Sequence, residues 1–389
     1  MKAAIYARYG PPDVVRIADV EKPVPKDDEV LIKVRAASVN PLDWRLMKGE
    51  PRAFRIVPRL LKMPIGRPGV DAAGEVEAVG KNVTQFKPGD QVFGGCRGAF
   101  AEYATTREKS IVTKPGNVTF EQAASIYVAG LTALQGLRDH GKIQPGSKVL
   151  INGAAGGVGT FAVQIAKTFG AHVTGVCSTR KIDMVRSIGA DEVIDYTQND
   201  FTTNNQRYDL ILDCVGNHSF SECRRALNPA GRFIGIGAPH DASMMGLLAQ
   251  MIKTLLLSVF VSQKAVIFIA KSSQDDLTLL GELIATGKLK PVIDRCYSLS
   301  EARDAVRHVE EGHARGKVII DIERDARIES TDYADYTDAI RHHNSSEEFS
   351  GLRVLTNHLP ALTLLNLCNL RICIGCYRAR CARKRKGDN

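Results

Sequence analysis

The segment Lys148-Val149-Leu150-Ile151-Asn152-Gly153-Ala154-Ala155-Gly156-Gly157-Val158-Gly159 decides the fold of this 389-residue chain. Its apolar start predicts a buried strand, its small residues predict a tight turn, and residues 160–169 continue with the periodicity of a helix. A strand that passes through glycines into a helix is typical of a site for the pyrophosphate of a dinucleotide. The alternative is a glycine-rich turn with a purely structural role.

Small residues are needed in this turn for steric and electrostatic reasons. Ala154 and Ala155 allow the tight turn, and Gly156 lets the backbone approach a pyrophosphate. Gly159 lets the helix pack closely on the strand, and the helix N-terminus points unpaired N–H groups at the anion. We therefore predict that a dinucleotide contacts Ala155, Gly156, Gly157, Val158 and Gly159.

The end of the second predicted strand indicates which dinucleotide binds. Chains that prefer NAD carry an acidic residue about 20 residues beyond the glycines, where it binds the ribose 2′-hydroxyl. Here Val176-Cys177 is followed by Ser178-Thr179-Arg180-Lys181, and this stretch contains no carboxylate before Asp183. Ser178, Arg180 and Lys181 offer a hydroxyl and two cations to a 2′-phosphate, which favours NADPH. The alternative is that the two cations only solvate the next helix.

The rest of the chain predicts an α/β protein with two domains. Residues 1–112 contain short β-rich runs separated by Pro and Gly turns, and a helix is predicted at 120–140. Strands and amphipathic helices then alternate, which predicts a doubly wound parallel sheet. Its six predicted strands are Lys148–Asn152, His172–Cys177, 192–194, 209–213, 232–236 and 265–269. Helices at 275–286 and 300–312 and a strand at 316–321 are expected to rejoin the first domain.

Charge, cysteine usage and the N-terminal residues limit the possible partners and the cellular location. The net charge is +9, but residues 353–389 hold eight basic and one acidic residue, so the basicity belongs to a tail and no nucleic-acid partner is expected. The nine cysteines are scattered as in a reducing compartment. The N-terminus resembles neither a signal peptide nor a transit peptide, so a cytoplasmic protein is predicted.

No metal site is predicted. Cys96 is the only cysteine before Cys177 and the first histidine is His140, so the β-rich region lacks the usual ligands of a catalytic or structural zinc. Four late cysteines partly match the spacing of metal ligands, but Gly375 is their only turn signal. These four are Cys368, Cys373, Cys376 and Cys381.

Two segments fit this scheme poorly. The apolar residues 244–270 are interrupted by Lys253 and Lys264, so no membrane span is expected, although docking on a membrane surface or a second subunit stays open. Residues 324–389 lack clear periodicity and are treated as an extension that is disordered or non-native. This extension is either a localisation or docking segment or the product of a reading-frame error.

Five ordered motifs resemble the zinc-free, quinone oxidoreductase-like branch of the medium-chain dehydrogenase/reductase superfamily. They are SVNPLDW at 38–44, PGVDAAG at 68–74, GAFAEY at 98–103, AGLTAL at 129–134 and the Gly156 turn. The resemblance extends from residue 1 to about 323. Zinc-using relatives carry a Cys where this chain has Asn40-Pro41 and a His-Glu pair where it has Val70-Asp71.

The resemblance implies a GroES-like β domain of residues 1–120 and 273–323, with a Rossmann domain of residues 121–272 inserted between them. It places Asn40 beside nicotinamide and substrate, with Asp43 and Trp44 as lesser catalytic candidates. The further implied cofactor contacts are Thr132, Lys181 and Tyr196 at the 2′-phosphate, Val215, Gly237 and Lys317. Alternatives are a turn role for Asn40, a domain-interface role for Trp44 and a surface role for Tyr196.

These observations predict an NADPH-dependent, zinc-independent oxidoreductase that transfers hydride to quinones or α,β-unsaturated carbonyl compounds. The resemblance also implies a homodimer. One alternative is a non-catalytic NADPH-binding sensor or tether that uses residues 244–270 and the basic tail. A lesser alternative is an alcohol dehydrogenase, although such an enzyme would lack the Lewis acid that polarises the alcohol oxygen.

Overall fold

The computed structural model describes residues 1–49, 66–237, 253–254, 256–258 and 261–324. Residues 244–252, 255 and 259–260 of the apolar stretch 244–270, and the extension beyond residue 324, lie outside these residues, as do the predictions made for them. Among the described residues, no helix is long and apolar enough to cross a membrane.

The first seven strands of the chain lie in two sheets. A hairpin pairs β1 (Lys2–Ile5) with β2 (Arg16–Asp19) in antiparallel fashion. The second sheet contains β3 (Glu29–Val39), β4 (Asp71–Val79), β5 (Gln91–Gly95), β6 (Tyr103–Arg107) and β7 (Ile111–Thr113). Their ladders are antiparallel, with β3 pairing with both β4 and β6.

The next six strands form a parallel sheet, as predicted. They are β8 (Lys148–Asn152), β9 (His172–Cys177), β10 (Glu192–Asp195), β11 (Tyr208–Asp213), β12 (Leu227–Gly235) and β13 (Lys264–Ile267). Their spatial order is β10-β9-β8-β11-β12-β13, the doubly wound order of dinucleotide-binding sheets. Chain order reverses between β8 and β11, and ligands of such sheets bind in the crevice beyond the carboxyl ends of the strands at that point.

The chain then returns to the antiparallel sheet. Strand β14 (Ile293–Ser298) pairs in parallel with β15 (Lys317–Asp321), and β15 pairs in antiparallel fashion with β3. This agrees with the expectation that the last elements rejoin the first ones. The predicted domain limits, 1–120 with 273–323 and 121–272, remain a proposal.

The structure gives the bounds of eight α-helices within the described residues. They are α1 (Pro41–Lys48), α2 (Phe120–Ala124), α3 (Tyr127–Gln135), α4 (Gly157–Thr168), α5 (Ile182–Ser187), α6 (Phe220–Cys223), α7 (Gln274–Ala285) and α8 (Ala302–Glu310). A buried apolar cluster joins α3, α4 and α7 to strands of both large sheets through residues such as Leu134, Phe161 and Leu280.

The prediction of one helix at 120–140 is wrong. The helix stops at Ala124, resumes at Tyr127 and ends in a π-helical turn, Gly136–His140. At the first break, the N–H groups of Ser125 and Ile126 bond carbonyls three residues back, at 3.2 Å and 3.3 Å, and the Ser125 hydroxyl donates to the Gln122 carbonyl at 2.6 Å.

Candidate active site

The glycine-rich turn forms at the carboxyl end of β8 with the geometry of an anion site. Gly153 has a φ of +82°, which glycine adopts without strain. A Cβ on Gly159 would lie 2.8 Å from two backbone atoms of Ala154 and closer still to the Gly153 carbonyl, so only glycine fits there. The first turn of α4 carries no acidic side chain, and its unpaired amides suit a pyrophosphate.

The closing strand lies against this turn. Gly316 forms a parallel bridge with Gly156, and the Gly316 N–H donates to the Ala155 carbonyl at 2.9 Å. The next residue, Lys317, has its Cδ 3.2 Å from where a Cβ on Gly157 would stand. A residue from the antiparallel sheet therefore borders the dinucleotide turn.

Four residues predicted at the 2′-phosphate lie at neighbouring strand ends. Cys177 and Asp195, the last residues of β9 and β10, are partners in register, so Ser178 and Tyr196 follow adjacent strands. Arg180 is exposed and so is Tyr196, at 61%. Lys181 is half-buried and its Nζ donates to the Ala314 carbonyl at 3.0 Å, while burial lowers its pKa.

Sequence reasoning missed a carboxylate in this group. Asp195 accepts the Thr179 hydroxyl at 2.5 Å and the Thr197 N–H at 2.9 Å, and the hydrogen bond from Thr179 lowers the pKa of Asp195. The signal was its position as the last residue of β10. Because donors from Thr179 and Thr197 occupy both of its oxygens, Asp195 holds the chain after β9 and the chain after β10 together, beside Arg180 and Lys181.

Val215 and Gly237 lie beyond the carboxyl ends of β11 and β12. Asp213, which sequence reasoning also missed, arranges this loop: its Oδ1 accepts the N–H of Val215 at 3.0 Å and that of Gly216 at 2.9 Å. Asn152 Nδ2 donates to the same oxygen at 2.9 Å, and burial raises the pKa of Asp213. Both polar residues end predicted strands, and that position could have revealed them.

Thr132 lies on α3, half-buried, and its hydroxyl donates to the Val128 carbonyl at 2.6 Å. Since its proton is used within the helix, the hydroxyl can accept but not donate elsewhere. The first turn of the same helix is tied to β4, because the Val128 N–H donates to Asp71 Oδ1 at 3.2 Å.

Asn40, Asp71 and Lys317 come together in a buried polar cluster with Ser38. Lys317 Nζ donates to Asn40 Oδ1 at 2.6 Å and to Asp71 Oδ2 at 3.3 Å. The Ser38 hydroxyl donates to Asp71 Oδ2 at 2.8 Å. The register explains the meeting, because β3 pairs Ser38 with Asp71 on one side and with Ile319 of β15 on the other.

Asp43 acts on the backbone. Its carboxylate oxygens accept the Asn40 N–H at 2.7 Å and the Gly69 N–H at 3.1 Å. Burial raises the pKa of Asp43 to about 7, and the nearby charge of Asp71 adds to the increase. Asp43 thus joins the start of α1 to the chain that leads into β4.

Trp44 is 2% exposed and packs in the core of the antiparallel sheet with Met47 and Val39. The Arg45 guanidinium lies 4.7 Å from the centre of its ring. This position favours the packing role of Trp44 over stacking on a flat substrate.

The residues that stand where zinc-using relatives have ligands do not fit zinc. Asn40 and Val70 replace ligand types, and the Asp71 oxygens accept from Ser38, Lys317 and Val128. Over the described part of the chain, no group of three His, Cys, Asp or Glu side chains could hold a metal ion.

Two protein families match the chain. Residues 26–116 match the family described as "Alcohol dehydrogenase GroES-like domain", and residues 188–320 match the one described as "Zinc-binding dehydrogenase". The second description names a metal for which this chain has no ligand set at positions 40 and 70–71.

Relatives of known sequence cover most of the chain. A chloroplastic quinone-oxidoreductase of Triphysaria versicolor is 37% identical over 82% of this chain and 98% of its own. A chloroplastic NADPH-dependent alkenal/one oxidoreductase of Arabidopsis thaliana is 34% identical over 82% of this chain and 79% of its own. Among solved structures, the quinone oxidoreductase of Coxiella burnetii is 31% identical, with a TM-score of 0.74 over 83% of this chain and 99% of its own.

Proposed function

The chain belongs to the zinc-free, quinone oxidoreductase-like branch of the medium-chain dehydrogenase/reductase superfamily, and we propose that it reduces quinones or α,β-unsaturated carbonyl compounds with NADPH. Members of this superfamily are NAD(P)-dependent oxidoreductases, and so is this protein. The observation that carries the proposal is the position of Lys317, whose side chain borders the Gly157 turn while its ammonium bonds Asn40.

The choice of NADPH rests on the ends of β9 and β10. Arg180 is exposed there, free to reach a phosphate, and the neighbouring Lys181 is already anchored on the Ala314 carbonyl. A guanidinium binds a phosphate by two parallel charge-assisted hydrogen bonds, whereas a ribose hydroxyl gains little from it. Asp195 does not compete for the ribose, because Thr179 and Thr197 already donate to its oxygens.

In the proposed reaction, the protein binds the cofactor and orients the substrate. When bound, NADPH supplies the hydride, which adds to the quinone or to the β-carbon of an enone and leaves negative charge on the substrate oxygen. The first-turn amides of α4 would hold the pyrophosphate, and the loop that Asp213 orders, with Val215 and Gly237, would line the nicotinamide half. Asn40 Nδ2 donates to the substrate oxygen as its charge develops. Solvent water then supplies the proton, so no dedicated acid is required.

The relatives supply the two substrate classes, since their names specify quinones and alkenals or alkenones respectively. Alcohol oxidation is less well supported, because Asn40 and Val70 stand in place of the ligand types that would hold a Lewis acid. A homodimer, a cytoplasmic location and peripheral membrane contact by residues 244–270 remain predictions. The two curated relatives described above are chloroplastic proteins.

The test is oxidation of NADPH and of NADH at 340 nm by the purified full chain with EDTA present. The acceptors are a panel of ortho-quinones, para-quinones and enones, and simple alcohols are offered with the oxidised cofactors. We expect turnover of quinones or enones with a higher kcat/KM for NADPH. Tight NADPH binding without turnover of any acceptor would instead support the sensor or tether.

A matched pair of variants tests the site. Asn40→Ala removes the proposed donor to the substrate oxygen and should lower kcat about 100-fold, the loss typical of removing one oxyanion donor. Asn117→Ala is the control, because Asn117 is exposed and its amide donates to the Ala285 carbonyl at 2.8 Å. Equal kcat values for the two variants would contradict the assignment of Asn40.

A further inference from the structure

The contact between Lys317 and Asn40 determines how the asparagine side chain is turned. The amide group has an oxygen that accepts and a nitrogen that donates, and the hydrogen-bond network decides which of them faces a given neighbour. An ammonium can only donate, so the Asn40 atom 2.6 Å from Lys317 Nζ must be the acceptor, Oδ1. The donor end of the amide, Nδ2, therefore faces away from Lys317.

That donor end is poorly used within the protein. In the part of the chain that the structure describes, Asn40 Nδ2 reaches one acceptor, the Ser38 carbonyl, at 3.4 Å. Protein N–H···O bonds usually measure about 2.7–3.2 Å, so this contact is weak and the second N–H remains available. A buried amide with spare donor capacity suits a ligand oxygen, because an unmet donor in the interior costs free energy.

Asp71 in turn fixes Lys317. The two side chains are 0% and 2% exposed, and the Asp71 oxygens also accept from the Ser38 hydroxyl and the Val128 N–H. Burial removes solvent screening, so the two charges hold each other strongly. The carboxylate thereby ties β4, β3 and α3 to the ammonium of β15, which also bonds Asn40.

We infer that Lys317 is a positioning residue, held by Asp71, which turns the Asn40 amide so that its N–H is presented to the oxygen of the reducible carbonyl. This inference rests on the proposed function, since it names the donor for that reaction. It also assigns a role to Asp71, which stands where zinc-using relatives carry the Glu of a His-Glu pair. In this chain the same position supports a hydrogen-bond donor.

The kinetic test removes the ion pair without leaving a buried charge. In Asp71→Asn/Lys317→Met, the new amide can accept from the Val128 N–H and donate to the Ser38 hydroxyl, so the fold is retained better than in either single variant. We expect kcat to fall about 10-fold, less than for outright loss of the donor.

A double-mutant cycle separates positioning through Asn40 from a general structural effect. If Lys317 acts through Asn40, Asp71→Asn/Lys317→Met should lower kcat in the wild-type background but hardly at all in the Asn40→Ala background. Equal losses in both backgrounds would overturn the inference. Lys114→Met is the control, because Lys114 is also buried and donates to the Val118 carbonyl at 2.6 Å, away from the cluster.

A second readout does not depend on turnover. In protein labelled with ¹⁵N-asparagine, the Asn40 side-chain amide signal is identified by its loss in Asn40→Ala. We expect this signal to shift in Asp71→Asn/Lys317→Met and to stay in place in Lys114→Met. An unchanged signal in Asp71→Asn/Lys317→Met would overturn the inference. If the wild-type protein reduced no acceptor, the proposed function would fail, while the signal would still decide whether Lys317 orients Asn40.

Discussion

Gly316 and Gly156 form a parallel β-bridge, so the two large sheets of the protein meet through backbone atoms at the glycine-rich turn. The Gly316 φ of +96° is accessible to glycine and strained for other residues. The bridge places Lys317, the next residue, between the turn and Asn40. The cofactor turn and the proposed substrate donor are thereby held in one rigid arrangement.

The first prediction concerns Gly159. Gly159→Ala would force a Cβ to within 2.8 Å of Ala154 backbone atoms, and backbone cannot move aside as a flexible side chain can. We expect a loss of about 1–3 kcal/mol in the free energy of unfolding. The Kd for NADPH, measured by fluorescence titration, should rise about tenfold or more, since the turn is displaced.

Gly116→Ala is the control for this variant, because a Cβ on Gly116 would meet no atom within 4 Å. It should leave both the free energy of unfolding and the Kd within error of the wild type. An NADPH Kd in Gly159→Ala equal to that of Gly116→Ala would contradict the assignment of the turn.

The second prediction concerns the pH dependence of stability. The pKa of Asp43 is about 7 in the folded protein against an ordinary 3.8. Between these values the folded state holds a proton that the unfolded state releases, so the contribution of Asp43 to stability falls as pH rises from about 4 to 7 and is constant above that. Asp43→Asn should lack this component of the slope.

Urea unfolding at pH 4, 5, 6, 7 and 8 measures this effect as the difference between the wild type and Asp43→Asn. Subtraction is needed because burial also raises the pKa of Asp213, which contributes a slope of the same sign above pH 4. Asp19→Asn, which changes an exposed carboxylate, serves as the reference. Parallel curves for the wild type and Asp43→Asn would show that Asp43 is ionised throughout this range.

The third prediction concerns cofactor choice. Arg180 is exposed near Ser178, and among the described residues it forms no ion pair. Arg180→Ala should therefore remove a phosphate contact without disturbing the fold. A charge-assisted hydrogen bond contributes about 1.5–3 kcal/mol, so the Kd for NADPH should rise roughly tenfold or more while that for NADH changes little. Arg224→Ala, at another exposed arginine, is the control. Similar changes in both Kd values would refute the 2′-phosphate assignment.

The fourth prediction compares two carboxylates on one arginine. Arg138 Nη1 donates to Asp276 Oδ1 at 2.7 Å, and Arg138 Nε donates to Asp139 Oδ1 at the same distance. The Asp276 side chain is 9% exposed and also accepts from Gln135 at 2.9 Å, whereas that of Asp139 is 43% exposed. Burial should make the first pair more important.

We expect Asp276→Asn to lower the free energy of unfolding by about 1.5–3 kcal/mol, because it breaks a charged hydrogen bond inside the protein. Asp139→Asn should cost only about 0–1 kcal/mol, as is usual for exposed ion pairs. Urea denaturation at pH 7 measures both. Equal losses would mean that burial does not distinguish the two contacts.

Local sequence patterns predicted the strands of the parallel sheet well. Strands β8 and β9 have the predicted limits, and β10 to β13 differ from theirs by one to five residues at an end. Continuous apolar runs between turn residues identify buried parallel strands, since both faces of such a sheet are covered. The prediction of one helix at 120–140 failed because the N–H groups of Ser125 and Ile126 bond three residues back, a local change that periodicity does not report.

The site was predicted in part. The glycine turn and the residues after β9 could be proposed as cofactor contacts because such roles depend on neighbours in sequence, and they stay predictions. Asp195, Asp213 and Asn152 were missed, although each ends a strand of the parallel sheet. For Trp44, the sequence left two roles open, and its burial in the core favours packing.

By itself, the sequence determined the six strands of the parallel sheet, the glycine-rich turn after the first of them and the loss of zinc-ligand types at positions 40 and 70, because these depend on residue type and short-range spacing. Only the tertiary structure decided that Lys317 meets Asn40 and Asp71, which lie 277 and 246 positions away along the chain. The physical reason is strand pairing: β15 joins β3, and β3 joins β4, so register places these side chains together. No local periodicity records that register.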